Sequence, residues 1–255
     1  MKKTYLNEFH ANNGGQMVNF AGWEMPINYG SQISEHKEVR ENVGIFDVSH
    51  MAVFDFEGSR QVEFLKHLLP NDVNKILDST RALYSPLLND EGMILDDLIV
   101  YHLGDENFRI ISNCGTRDQN NAWFKKVALN FDVAVDFKEE ASIIALQGPK
   151  AKQCLGEIFD VDLEPFHIQT LDDVMIARTG YTGEVGFEII SNASRGLELW
   201  NHFIEKGIKP VGLAARDTLR LEAGFNLYGS DTVSYTHLRA HETKANLVCR
   251  LLLEK

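Results

Sequence analysis

Residues 91–101 read EGMILDDLIVY, and this stretch decides the architecture. Successive side chains of a strand point to opposite faces. Leu95, Asp97, Ile99 and Tyr101 therefore share one face, and Ile94, Asp96, Leu98 and Val100 share the other. Both faces are apolar, so the ribbon is expected inside the protein, with one carboxylate on each side. A lone charge in such a place costs several kcal/mol, so each aspartate must have polar partners.

Moving outward, Asp90-Glu91-Gly92 is a turn, and ALYSPLLN (82–89) before it is a second strand. Gly104 to Asn107 is another turn, leading to FRIISN (108–113). Short Gly/Asn/Asp turns between apolar runs predict an antiparallel meander. Around it lie predicted helices: 31–42 closed by Gly44, a second from Ser59 as N-cap to Pro70, and a third from Thr116 as N-cap through Asn130. Residues 45–58 read as one extended segment. VAVDF and SIIALQGP read as strands, with Pro149 opening the helix AKQCLGEIF. VMIARTGYTGEVGFEIIS (174–191) reads as a hairpin-like pair, and RGLELWNHFIEKG and LAARDTLRLEAG as amphipathic helices. Strands cluster without a βαβ alternation, so the expected class is α+β with mostly antiparallel sheets. No internal repeat is present.

The 255 residues suffice for one large domain or two smaller ones. A net charge of −12 argues against nucleic-acid or anionic-membrane partners. Cys114, Cys154 and Cys249 are odd in number and widely spaced, which suggests neither a metal site nor a disulfide framework. The N-terminus lacks the apolar core of a signal peptide, and no window reaches the roughly 18 apolar residues of a membrane helix. A cytoplasmic protein is expected.

Past Asp231 the character changes. Arg239, Lys244, Arg250 and Lys255 outnumber Glu242 and Glu254, and VSYTHLRAHET resembles the in-frame translation of a transposase-type sequencing adapter. Residues 232–255 are accordingly expected to be a non-native tail, and His237, His241 and Cys249 are not read as ligands. A natural basic C-terminal helix is the competing reading.

Phosphate-loop, dinucleotide-loop, HExxH and GxSxG motifs are all missing. The informative stretches are FAGWEMP (20–26), VGIFDVSHM (43–51), ALYSPLLNDEGMILDDLIVY, IISN (110–113), ALQGPKA (145–151), RTGYTGEVGFEI (178–189) and GLAARDTLRLEAGFNLYG (212–229). In order and spacing, from about Leu6 to Asp231, they resemble the aminomethyltransferase family, the T-protein of the glycine cleavage system. That resemblance implies transfer of a one-carbon unit to tetrahydrofolate. The donor is an aminomethyl group on the lipoyl arm of a carrier protein (the H-protein), and ammonia is released. It also implies two interleaved, sandwich-like folate-binding domains, with a C-terminal β-barrel domain that this chain lacks. The expected division is residues 1–49 with 140–231 as a discontinuous domain and 50–139 as an inserted one.

By the same resemblance Asp97 takes the catalytic role and Glu188 accepts from the pterin ring. Arg216 donates to a folate oxygen or carboxylate. Tyr84, Tyr101, Tyr181, Asn113 and Met51 line the pocket. Plainer readings stand beside these. Asp97 is otherwise a buried carboxylate paired with Arg216 or with backbone N–H groups. Arg216 is otherwise a helix-surface partner of Asp217 or Glu222, and Glu188 a solvent-exposed strand residue. Asp96 is read as structural, and His50 as a packed or surface histidine. Two other functions compete: a related folate-dependent demethylase, and a non-catalytic folate-binding module. Members of the latter group carry a cysteine-containing KGCYxGQE-like stretch where this chain has RTGYTGEVGFE.

Overall fold

The computed structural model describes residues 1–105 and 107–231. The expected non-native tail, 232–255, lies outside them. In chain order the elements begin with α1 (Asn7–Asn12), β1 (Met17–Phe20), β2 (Trp23–Pro26), α2 (Gln32–Glu41) and β3 (Gly44–Asp47). Then come β4 (Ala52–Glu57), α3 (Gln61–Leu68), a 3-10 turn Val73–Ile76, β5 (Ala82–Leu88), β6 (Ile94–Gly104), β7 (Asn107–Ser112), α4 (Arg117–Ala128) and β8 (Ala134–Phe137). The chain continues through β9 (Ala141–Gln147), α5 (Ala151–Leu155), β10 (Ile168–Leu171), β11 (Val174–Ala177), β12 (Gly186–Asn192), α6 (Ala193–Glu205), β13 (Lys209–Pro210) and α7 (Leu213–Ala223).

These elements form two compact units. One contains Met1–His50 and Glu140–Ala223, and the other contains Met51–Glu139 with the described residues from Gly224 onward. Residues 224–231, expected with the discontinuous domain, cluster instead with the second unit. There the Tyr228 hydroxyl lies 3.4 Å from the carbonyl oxygen of Ile94.

The second unit is built on the opening stretch. Its five-stranded sheet has the order β5-β6-β7-β4-β8 and is antiparallel throughout. On β6, Leu98 and Val100 face a core that includes Phe54, Phe56, Phe64, Phe108 and Phe124. Each large side chain so buried contributes about 1.5–3 kcal/mol. The register pairs Tyr84 with Ile99 and Pro86 with Asp97, so Tyr84 and Asp97 lie on the other face.

The first unit carries a six-stranded sheet, β10-β11-β12-β9-β3-β13, antiparallel except where β13 meets β3. Phe187 and Ile189 of β12 pack with Leu199, Trp200 and Phe203 in one core. Glu188 alternates to the opposite face. The mixed, mostly antiparallel class expected from the sequence is the class observed.

Two local expectations were wrong. Residues 45–58 do not form one extended segment: β3 and β4 belong to different sheets. Asp47 Oδ1 accepts from Ser49 N at 2.9 Å and turns the chain where it leaves the first sheet. Ser59 does not cap α3, which starts at Gln61 behind Arg60 with no side-chain cap. Thr116 does precede α4, but its hydroxyl serves a carboxylate and not the helix end.

Candidate active site

The two aspartates of β6 have different surroundings. Asp96 is fully buried, and polar groups surround its oxygens. Oδ1 accepts from Asp97 N at 2.9 Å and Asn113 Nδ2 at 2.7 Å. Oδ2 accepts from Thr116 Oγ1 at 2.6 Å, Asn120 Nδ2 at 2.5 Å and Asn113 N at 3.3 Å. Thr116 and Asn120 are four residues apart on one face of the α4 N-terminal turn, which is why both reach the same oxygen. Burial pushes the Asp96 carboxyl above its ordinary range, against the pull of these donors. It is thus tied into the fold.

Asp97 is held by fewer groups. Tyr84 donates its hydroxyl to Oδ2 at 2.9 Å, and Asn113 Nδ2 donates to Oδ1 at 2.7 Å. Asn113 therefore bridges the two carboxylates. Burial raises the Asp97 carboxyl to about 6, the Asp96 charge adds to that, and the Asn113 and Tyr84 hydrogen bonds oppose it. A carboxyl in that range can hold or release a proton near neutral pH. Neighbouring Cys114 is no competitor as a nucleophile, because burial pushes its thiol up to about 11. Tyr101 shares the Asp97 face but has no solvent-accessible surface. Met51 is half-buried just ahead of β4.

The first unit assembles a second group. Thr179 Oγ1 donates to Glu188 Oε2 at 2.6 Å. The Arg216 guanidinium lies over the Tyr181 ring, 4.6 Å from its centroid, a cation–π geometry. Arg216 forms no surface pair with Asp217 or Glu222. Asp217 Oδ1 accepts from Arg220 Nε, and Glu222 Oε2 from Arg40 Nη2. The helix turns Arg216 toward Tyr181 instead. Burial lowers its guanidinium from the usual range, opposed by Glu188 and Tyr181. Its Nη1 is buried with no hydrogen-bond partner among the described residues. Glu188 is half-buried, so simple solvent exposure does not describe it.

His50 is buried, as a packed histidine would be. A further set escaped the sequence reading. Buried His10 Nε2 lies 3.0 Å from Asp47 Oδ2, and its Nδ1 lies 2.6 Å from the Tyr29 hydroxyl. Thr4 adds a 2.7 Å hydrogen bond to Asp47. These residues come from three separate stretches, so no spacing announced them. Among the described residues no cluster of His, Cys, Asp or Glu could hold a metal, and no helix is long and apolar enough to cross a membrane.

Comparison with known proteins follows the same lines. An aminomethyltransferase of Francisella tularensis subsp. tularensis is 49% identical over 238 residues, covering 91% of this chain and 66% of its own. One from Francisella philomiragia subsp. philomiragia is 48% identical over the same span. The chain thus spans just under two thirds of the length of these relatives. The crystal structure of glycine cleavage system aminomethyltransferase T from Bartonella henselae superposes with a TM-score of 0.88 at 37% identity, covering 92% of this chain and 66% of that one. The family model described as the GCVT N-terminal domain matches residues 6–251, a span that runs past Asp231, where the sequence reading ended the resemblance. The chain belongs to the GCVT N-terminal domain family of aminomethyltransferases.

Proposed function

We propose that this chain supplies the folate-binding and catalytic part of a tetrahydrofolate-dependent aminomethyltransferase of the glycine cleavage system. Its substrates would be tetrahydrofolate and an aminomethyl group carried on the lipoyl arm of an H-protein. Its products would be methylenetetrahydrofolate, ammonia and the reduced arm. A cytoplasmic setting goes with that chemistry. The carrying observation is Asp97, a largely buried carboxyl raised to about 6 and oriented by Tyr84 and Asn113.

The donor set suits such a ligand. A reduced pterin presents ring N–H and amino groups, for which Glu188 is an acceptor. Arg216, with its unpartnered Nη1, suits a folate oxygen or carboxylate. Tyr84, Tyr181, Asn113 and Met51 complete the proposed contacts, whereas the fully buried Tyr101 has no surface to offer a ligand. Tetrahydrofolate, when bound, supplies the nitrogens that accept the one-carbon unit. Asp97 takes or steers a proton there and stabilises positive charge as ammonia departs. Tyr84 and Asn113 keep its two oxygens in place, and Asp96 holds Asn113.

A coupled assay on the full-length protein tests this, using tetrahydrofolate and the aminomethyl carrier to compare Asp97→Asn with Asp96→Asn. Asp97→Asn is expected to lose about a hundredfold or more in kcat. Loss confined to Asp96→Asn would refute the assignment.

A further inference from the structure

RTGYTGEVGFEI carries Tyr181 and Glu188, yet neither residue explains why the turn between them holds its shape. The explanation lies in ALQGPKA, on a different strand. Gln147 ends β9, and its side chain is fully buried. Its Nε2 donates to the Thr179 carbonyl at 3.2 Å, and its Oε1 accepts from the Thr182 hydroxyl at 2.9 Å. One amide thus joins the residues on either side of Gly180-Tyr181. The two glycines nearby exist for this amide. A Cβ on Gly180 would stand 2.1 Å from Gln147 Oε1, and one on Gly186 would stand 2.2 Å from its Nε2. Any larger residue at either position would have to displace the amide from this seat.

The clamp extends to both proposed ligand contacts. Thr179, gripped through its carbonyl, uses its hydroxyl to hold Glu188. Thr182, gripped through its hydroxyl, gives its carbonyl to Arg40 Nη1 at 2.7 Å. Arg40 also binds Glu184 Oε1 and Glu222 Oε2, each at 2.8 Å, and so fastens the turn to α7, which bears Arg216. Tyr181 stands between the two gripped threonines, under the Arg216 guanidinium.

We infer that Gln147 is a positioning residue for ligand binding: its buried amide fixes the Thr179–Thr182 turn and so sets Tyr181, Arg216 and Glu188 for tetrahydrofolate. The inference rests on the folate reading. Gln147 has no exposed surface to offer a ligand and lies outside the proton-handling group proposed at Asp97, so binding should suffer while the chemical step does not.

The test is calorimetric titration of tetrahydrofolate into full-length wild type and Gln147→Met, with kcat and KM measured alongside and folding followed by circular dichroism. The dissociation constant and KM are expected to rise about tenfold or more, with kcat at saturation within about twofold. Thr182→Val, which deletes only the hydroxyl, should weaken binding in the same direction and serves if Gln147→Met does not fold. Gln147→Glu adds a readout that a merely structural role would not move. Its neutral carboxyl reproduces the donor and acceptor of the amide, whereas its carboxylate cannot donate to Thr179. Affinity relative to wild type should therefore approach one at low pH and fall as pH rises. Wild-type affinity in folded Gln147→Met, or in folded Thr182→Val, would overturn the role of Gln147 while leaving the folate reading intact. A wild type that takes up no tetrahydrofolate would overturn both.

Discussion

Asp47 and Asp97 are both carboxylates withdrawn from water, one in each unit, and they behave in opposite ways. Burial pushes each upward. At Asp47 the hydrogen bond and charge of His10, with Thr4 and the Ser49 N–H, outweigh burial and hold the carboxyl below its ordinary range. At Asp97 the nearest charge is that of Asp96, of the same sign, and the carboxyl rises to about 6. Depth alone therefore does not decide what a carboxylate does. A histidine beside it makes an anchor, whereas burial next to a second carboxylate makes a group able to exchange a proton at neutral pH.

The largest effect expected from this contrast is on turnover. Asp97→Asn in the full-length protein should lower kcat by about 10²–10⁴, or roughly 3–5 kcal/mol in the barrier, while Asp47→Asn changes kcat little in the fraction that remains folded. Stability should answer in reverse. Asp47→Asn removes one member of a buried pair and is expected to destabilise the first unit by about 3 kcal/mol in urea unfolding at pH 7. That contribution is present above the unfolded carboxyl value of about 4 and is lost as pH falls through the lowered folded value.

Asp97→Asn should instead stabilise. A raised folded value means the carboxyl favours folding fully below about pH 4 and loses that contribution as pH rises through 6. Unfolding measured from pH 4 to pH 8 should show the variant and wild type nearly equal at the acid end. At pH 8 the variant should be ahead by about 2 kcal/mol. An equal gap at all pH values would remove the raised carboxyl of Asp97. The smallest effect is that of Tyr84→Phe, which deletes one donor to the ionised form. The acid limb of its kcat profile should move to higher pH, with the maximum reduced only a fewfold.

Much of this was legible in the chain. The apolar run in EGMILDDLIVY announced a strand, and the turns beside it announced the meander β5-β6-β7. The Ile94, Asp96, Leu98 and Val100 face is buried as expected, whereas Leu95, Asp97 and Ile99 are only half-buried. The division between Asp96 and Asp97 was also foreshadowed, because a strand must send them to opposite sides. What stayed hidden depends on contacts between distant residues. Periodicity runs straight through 45–58, since nothing local shows that the chain changes sheets at Asp47 to Met51. Helix spacing suggested Asp217 or Glu222 for Arg216, but the guanidinium reaches Tyr181, thirty-five residues earlier, across the tertiary fold. Gln147 ends the strand SIIALQ, and nothing local to it shows that its amide meets Thr179 and Thr182 more than thirty residues later.

The raised carboxyl of Asp97 is most directly examined by carboxyl carbon NMR of the aspartate-labelled protein, titrated from pH 3 to pH 9 in wild type and Asp97→Asn. One carboxyl should titrate near pH 6 in the wild type and vanish from the variant, while the Asp47 signal stays that of an ionised group down to the acid end. If every aspartate titrates below about pH 4.5, or if the signal near 6 persists without Asp97, then Asp97 is not the poised carboxyl and the catalytic assignment fails.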